Sequence, residues 1–241
     1  MLQRSMITVL TGFLLAALST GVSADEKKQH SAIKPVPRKG GWMKRHEAMN
    51  ARVKKGNVDL VFIGDSITQG WERNGRKVWQ EHYGKRNAVN LGISGDRTQH
   101  VIWRLQNGNL EGIEPKLAVI MIGTNNSGDN TPREIAEGTA EIVKIIRKAC
   151  PKTKILLLAT FPRGKDANDK RRIVNRSSNA ITAKLADGKQ VFFLDIGKKF
   201  LEEDGTLPRR IMPDLLHLSQ EGYRIWAAAI EAEVKKLMGE K

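Results

Sequence analysis

Between residues 59 and 194 the chain repeats one unit, a short apolar run followed by an amphipathic stretch. The runs are Asp59–Ile63 (DLVFI), Ala88–Leu91, Leu117–Ile122 (LAVIMI), Ile155–Ala159 (ILLLA) and Val191–Leu194. Most lack the polar/apolar alternation of a half-exposed strand, so both faces of each must be covered, as in a parallel sheet between helical layers. The intervening stretches supply those helices. Lys77–Tyr83 and Thr98–Leu105 follow the first two strands, and Asn168–Leu185 precedes the fifth. Pro132 to Cys150 starts with Thr131 as cap and proline at its favoured first position. A stretch from Trp42 to Gly56 precedes the first strand, and one from about Ser219 to Leu237 closes the chain. The pattern predicts one α/β domain over residues 41–241, a three-layer α/β/α doubly wound sandwich on a five-stranded parallel sheet.

The N-terminal part reads differently. Arg4, the apolar stretch Met6–Leu18 and the small residues of Val22-Ser23-Ala24 have the layout of a cleaved secretory signal over residues 1–24. Residues 25–40 are polar, with two prolines, and read as a linker. Export to a bacterial periplasm or exterior is expected. Cys150 is the only cysteine and cannot form an internal disulfide. No Cys/His cluster or HExxH pattern calls for a metal. The formal net charge of +15 favours anionic surroundings, whether acidic polysaccharide or a peripheral membrane surface. Aromatic residues make up only 5%, and none interleave with basic runs, which argues against nucleic acid as the partner.

In open parallel sheets the chemistry collects beyond the carboxyl ends of the strands. Four segments fall there: Gly64-Asp65-Ser66-Ile67, Asn90–Asp96, Gly123–Asn126 and Pro213–His217. Ser66 sits on a strand-to-helix turn, where it serves either as a helix cap or as a nucleophile. Asp214 and His217 favour the second. A hydroxyl needs a base, and the base needs an orienting carboxylate, which a three-residue offset on one turn can supply. Gly95 would let backbone N–H approach a tetrahedral oxyanion, and Asn125 would add a neutral side-chain donor.

GDS, then Gly95, then GTN, then DLLH, in that order on this scaffold, resembles the SGNH (GDSL-type) hydrolase superfamily, whose sheet is flavodoxin-like. The blocks NLGISGDRTQHVIWRLQNG, MIGTNN, FPRG (Phe161–Gly164) and DLLHLSQEGY are similar to the catalytic subunits of intracellular platelet-activating-factor acetylhydrolases. The resemblance implies a carboxylic ester hydrolase with Ser66, Asp214 and His217 as triad. It implies an oxyanion hole from Gly95, Asn125 and the Ser66 N–H, and no cofactor. Ile67 replaces the leucine of GDSL, and Ser94 stands where a glycine is expected. Ile67, Phe161 and Leu216 are the candidates for the acyl pocket. Expected substrates are O-acetyl esters of an envelope or environmental carbohydrate, with a lysophospholipid or short-acyl phospholipid as the alternative. The rival from another class is non-catalytic binding of acidic glycans.

Overall fold

The computed structural model describes residues 29–240. The expected signal segment, residues 1–24, lies outside them. Strands β1 (Leu60–Gly64), β2 (Ala88–Gly92), β3 (Leu117–Met121), β4 (Lys154–Leu158) and β5 (Val191–Leu194) pair only in parallel, in the order β2-β1-β3-β4-β5. This is the flavodoxin-like doubly wound order, whose switch point lies between β1 and β3. Each predicted strand lies within one residue of its observed bounds.

The helices are α1 (Gly41–Val53), α2 (Ser66–Gln69), α3 (Arg76–Tyr83), α4 (Thr98–Gln106), α5 (Pro132–Ala149), α6 (Lys170–Thr182) and α7 (Gln220–Met238). Two cores fill the space between sheet and helices. One packs Leu60, Phe62, Val119 and Leu156 against Trp71, Tyr83 and Trp226, with α3 and α7. The other packs Val61, Ile63, Ala118 and Ile155 against α1, α4 and α5. Alternate residues of each strand thus serve opposite faces, which is why most of the runs lack polar alternation. On α5, Thr131 accepts from the Glu134 N–H, and Glu134 reaches back to the Thr131 N–H at 2.9 Å, closing a capping box.

The segment read as a linker is partly built into the domain. Ala32 is fully buried, its carbonyl accepts from Thr98 Oγ1 at 2.7 Å, and the Val36 N–H donates to Gln99 O. Polar composition concealed this docking, because the segment is held by backbone groups and polar side chains, such as His30 on Glu137 and Ser31 on Asn130, rather than by an apolar face. The connection 201–219 is long and carries no regular element. It buries Leu207, Ile211, Met212 and Leu218, so it is an arm packed against the core.

The strand register brings Gly64 level with Gly92 and Met121 at the carboxyl edge of the sheet. There α2 turns back tightly. A Cβ at Gly64 would strike Thr68 and the Met121 carbonyl, and one at Gly92 would strike the backbone of Thr68 and Gln69. The cap of α2 is Asp65, whose Oδ1 accepts from the Ile67 N–H at 2.9 Å. Asp65 is fully buried. Burial, with the nearby Asp96 charge, raises its carboxyl to about 7, against the Ile67 hydrogen bond and the His217 charge.

A carboxyl raised in the folded state binds more protons there than in the unfolded chain, so it stabilises below the unfolded value. That contribution is lost as pH rises through the folded value. From about pH 5 to about pH 8 the wild-type melting temperature should therefore fall more than that of Asp65→Asn, which keeps the capping oxygen. About 1 kcal/mol moves Tm by about 2–4 °C in a chain of this size, so a difference of several degrees is expected. Parallel melting curves across that range would contradict a neutral buried Asp65.

Candidate active site

Capping by Asp65 leaves Ser66 at the first position of α2 with its hydroxyl free to point outward. Its Oγ lies 2.9 Å from His217 Nε2. On the far side of the ring, His217 Nδ1 lies 2.6 Å from Asp214 Oδ2. Asp214 Oδ1 also accepts from the backbone N–H of Leu216 at 3.1 Å and of His217 at 2.7 Å. Burial alone would raise the Asp214 carboxyl. The hydrogen bonds from the His217 ring and backbone and from Leu216 outweigh it, and hold the carboxyl below its ordinary value.

The turn carrying this pair is strained. Leu215 adopts φ of 61°, a left-handed conformation that branched side chains avoid. Such a residue costs of order 1–3 kcal/mol and persists only where its surroundings hold it. Here the Leu215 N–H donates to Met212 O and its carbonyl accepts from the Gly164 N–H, both at 2.9 Å. Gly164 closes the FPRG block, so that block braces the turn bearing Asp214 and His217.

A second set of donors gathers around the loops after β2 and β3. Gly95 has φ of 74°, which a glycine adopts without strain. Among the described residues no acceptor takes the backbone N–H of Gly95 or of Ser66. Asn125 Nδ2 donates to Asp96 O at 2.9 Å and lies 3.5 Å from Asp65 Oδ2. The amide is thereby anchored between the residue after Gly95 and the residue before Ser66. The Gly95 loop is held in turn by Ser94, whose N–H donates to Gln69 Oε1 at 2.7 Å. Its carbonyl accepts from Arg38 at 2.9 Å.

Beneath this edge lies a buried network that the sequence did not reveal. Arg104 is fully buried; it donates to Asp96 Oδ2 at 2.8 Å, to Leu91 O at 3.0 Å and to Asn109 Oδ1 at 2.5 Å. Trp42 Nε1 donates to Asp96 Oδ1 at 2.6 Å. Burial pushes the Asp96 carboxyl up and the Arg104 guanidinium down, and their mutual contact offsets both shifts. His46, another residue set among charged neighbours in sequence, is buried against Asn109 and Asn50. The one trace in the sequence is the eight-residue spacing of Asp96 and Arg104, which by itself does not tell a buried pair from two solvated charges.

The cleft beside Ser66 has a volume of about 270 Å3 and is lined by Gln69, Arg73, Asn74, Ser94 and His217, among others. His217 and Asp214 remain open to solvent, with side-chain exposures of 44% and 55%. The three residues expected to wall an acyl pocket do not do so together. Ile67 is 1% exposed and packs into the core below α2, because the second helical position points away from the cleft that Ser66 faces. Phe161 is 2% exposed and packs on Phe200 and Trp226. Only Leu216 is half-buried near the site.

Residues 62–225 match the model of the GDSL-like Lipase/Acylhydrolase family. The chain is 36% identical over 222 residues to the platelet-activating factor acetylhydrolase IB subunit alpha1 of Bos taurus, an alignment covering 90% of this chain and 93% of that one. Among solved structures, a GDSL-like lipase from Bacteroides thetaiotaomicron superposes with a TM-score of 0.62 at 24% identity, covering 80% of this chain and 97% of that one. A carbohydrate acetylesterase from Sinorhizobium meliloti gives 0.60 at 20%, covering 75% and 99%. These last two likenesses speak to the fold. The matched family and the curated relatives together establish that the chain belongs to the GDSL-like lipase/acylhydrolase family and is a carboxylic ester hydrolase.

Proposed function

We propose that Ser66, His217 and Asp214 act as a catalytic triad that hydrolyses short-acyl esters, acetyl esters of carbohydrate foremost, through an acyl-enzyme. The observation that carries this reading is the unbroken line from Ser66 Oγ through His217 to Asp214, at 2.9 Å and 2.6 Å. Ser66 Oγ bonds to the ester carbonyl carbon as its proton passes to His217 Nε2. Asp214 keeps the ring oriented and stabilises the imidazolium. The tetrahedral oxygen is received by the N–H groups of Ser66 and Gly95 and by Asn125 Nδ2. Collapse breaks the carbon–alcohol bond, and the alcohol leaves with the proton from His217. Water repeats the sequence on the acyl group and frees Ser66.

The preference for short acyl groups rests on the walls of the cleft. Gln69, Arg73, Asn74 and Ser94 supply polar walls, and the apolar residues beside them, Leu218 and Tyr223, are themselves buried, so a methylene that extends past this small cleft would forgo its roughly 0.8 kcal/mol of burial. The names of the relatives and of several structural neighbours share the acetyl group and differ in the alcohol. The identity with the bovine acetylhydrolase favours a second reading, an acetylated phospholipid as substrate. The same proposal places the protein outside the bacterial cytoplasm. Two glycosylation sequons fall on Asn125, beside Ser66, and on buried Asn175, which suits an export route that adds no glycans.

Ser66→Ala should fold, with its melting temperature little changed, and lose about three or more orders of magnitude in kcat on 4-nitrophenyl acetate. Normal turnover by the folded variant would end the triad reading. Across a series of acyl lengths, kcat/KM should be highest from acetyl to butyryl and lower at octanoyl. A steady rise to lauroyl would reject the short-acyl cleft and favour the lipid reading.

A further inference from the structure

Lys170, Arg171 and Arg172 open α6 behind its cap Asp169, and no acid lies in that first turn. The N-terminus is the positive end of a helix, where acids stabilise and cations oppose the dipole. Three cations in a row there work against the helix, so its own stability does not account for them. Arg172 has a structural partner, donating to Gly205 O at 2.9 Å. Arg171 has none: it is exposed and makes no hydrogen bond or ion pair among the described residues.

The Arg171 guanidinium lies over the loop that carries Asn125. A Cβ placed on Gly128 would meet its Nη2 at 3.4 Å. A depression of about 290 Å3 is lined there by Gly95, Asn125, Gly128, Arg97, Asp129 and Arg171. Gly95 and Asn125, two of the three oxyanion donors proposed above, therefore share one concavity with Arg171, and Ser66 lines the neighbouring cleft. Its only carboxylate, Asp129, is taken by Arg97 at 2.5 Å. Arg163, the next cation inward, spends its Nη1 on Thr124 O and Oγ1 at 3.3 Å and 3.1 Å. Burial, and after it the Arg171 charge, hold the Arg163 guanidinium below its ordinary value. The lining of the depression thus sets Arg97 and Arg171 against the single carboxylate of Asp129, which Arg97 occupies, while Arg163 behind it also feels Asp169, Asp65 and Asp214.

We infer that Arg171 is a specificity residue, an anion-binding group for a substrate that bears a carboxylate or a phosphate next to its scissile ester. The inference rests on the esterase reading of the adjoining cleft that holds Ser66 and His217. A planar guanidinium suits both anions, which it can hold through paired N–H groups.

Two pairs of acetyl esters test it on the purified full-length protein. One pair is an O-acetylated uronate and its uncharged uronamide; the other is acetylated glycerol phosphate and acetylglycerol. In Arg171→Gln the ratio of kcat/KM for the charged over the uncharged member should fall about tenfold or more in at least one pair. The loss should sit mainly in KM, and Arg171→Lys should recover part of it. The pair that responds identifies the anion. The Gln variant should melt at or slightly above the wild-type temperature, since a cation has left the positive end of a helix. Ratios unmoved in both pairs would overturn the inference. If the wild type still cleaves the uncharged esters, that failure stops at Arg171. If it cleaves none of the four, the acetyl-ester reading of the cleft falls as well.

Discussion

One buried guanidinium holds the catalytic edge together. Arg104 reaches the carboxyl end of β2 through the Leu91 carbonyl and the loop after it through the Asp96 carboxylate. Trp42 on α1 completes the aspartate, and the Asp96 carbonyl accepts from Asn125 on the loop after β3. Helices on one face of the sheet thereby set the spacing of two loops on its edge. Burying such a pair gains little over an apolar core, but breaking it by removing one partner typically costs about 3–5 kcal/mol. Its value here is positional, because alternative placements of the Gly95 loop would leave a buried charge unpaired.

The other half of the site depends on a different device. The turn from Asp214 to His217 stores backbone strain at Leu215, and the packed arm 201–219 together with Gly164 keeps it in place. Asp214 binds the turn from inside by accepting two backbone N–H groups with the oxygen it does not offer to the ring. The imidazole is consequently presented to Ser66 by a closed hydrogen-bonded loop rather than by a free side chain. Preorganisation of this kind lets donors and base act without reorganising as charge develops.

The sheet was legible because a strand covered on both faces leaves a largely apolar run; three of the four candidate segments followed from strand ends, and the fourth, Pro213–His217, from its place before the closing helix. Ser66, Asp214 and His217 were legible as a candidate set, which the fold brings together, because a nucleophile, its base and the orienting acid are constrained in type and in spacing. Arg104, Asp96 and Asp65 were not. A charged residue enclosed by a network looks in sequence like one that faces water, and only the fold shows where its partners converge. Ile67 and Phe161 were misplaced for a related reason. Adjacency to a site residue in sequence does not set direction, and one step along α2 turns the side chain from cleft to core. The docked segment from residue 29 onward escaped notice because backbone and polar side-chain bonds, which leave no apolar pattern, hold it.

The central claim is that one serine of this chain is made nucleophilic by the line of hydrogen bonds behind it. Labelling the native protein with a fluorophosphonate and locating the adduct by peptide mass spectrometry tests that most directly. The account predicts a single adduct on Ser66, formed in parallel with loss of esterase activity and strongly slowed in His217→Ala. An adduct on another serine, or full inhibition with Ser66 unmodified, would contradict it.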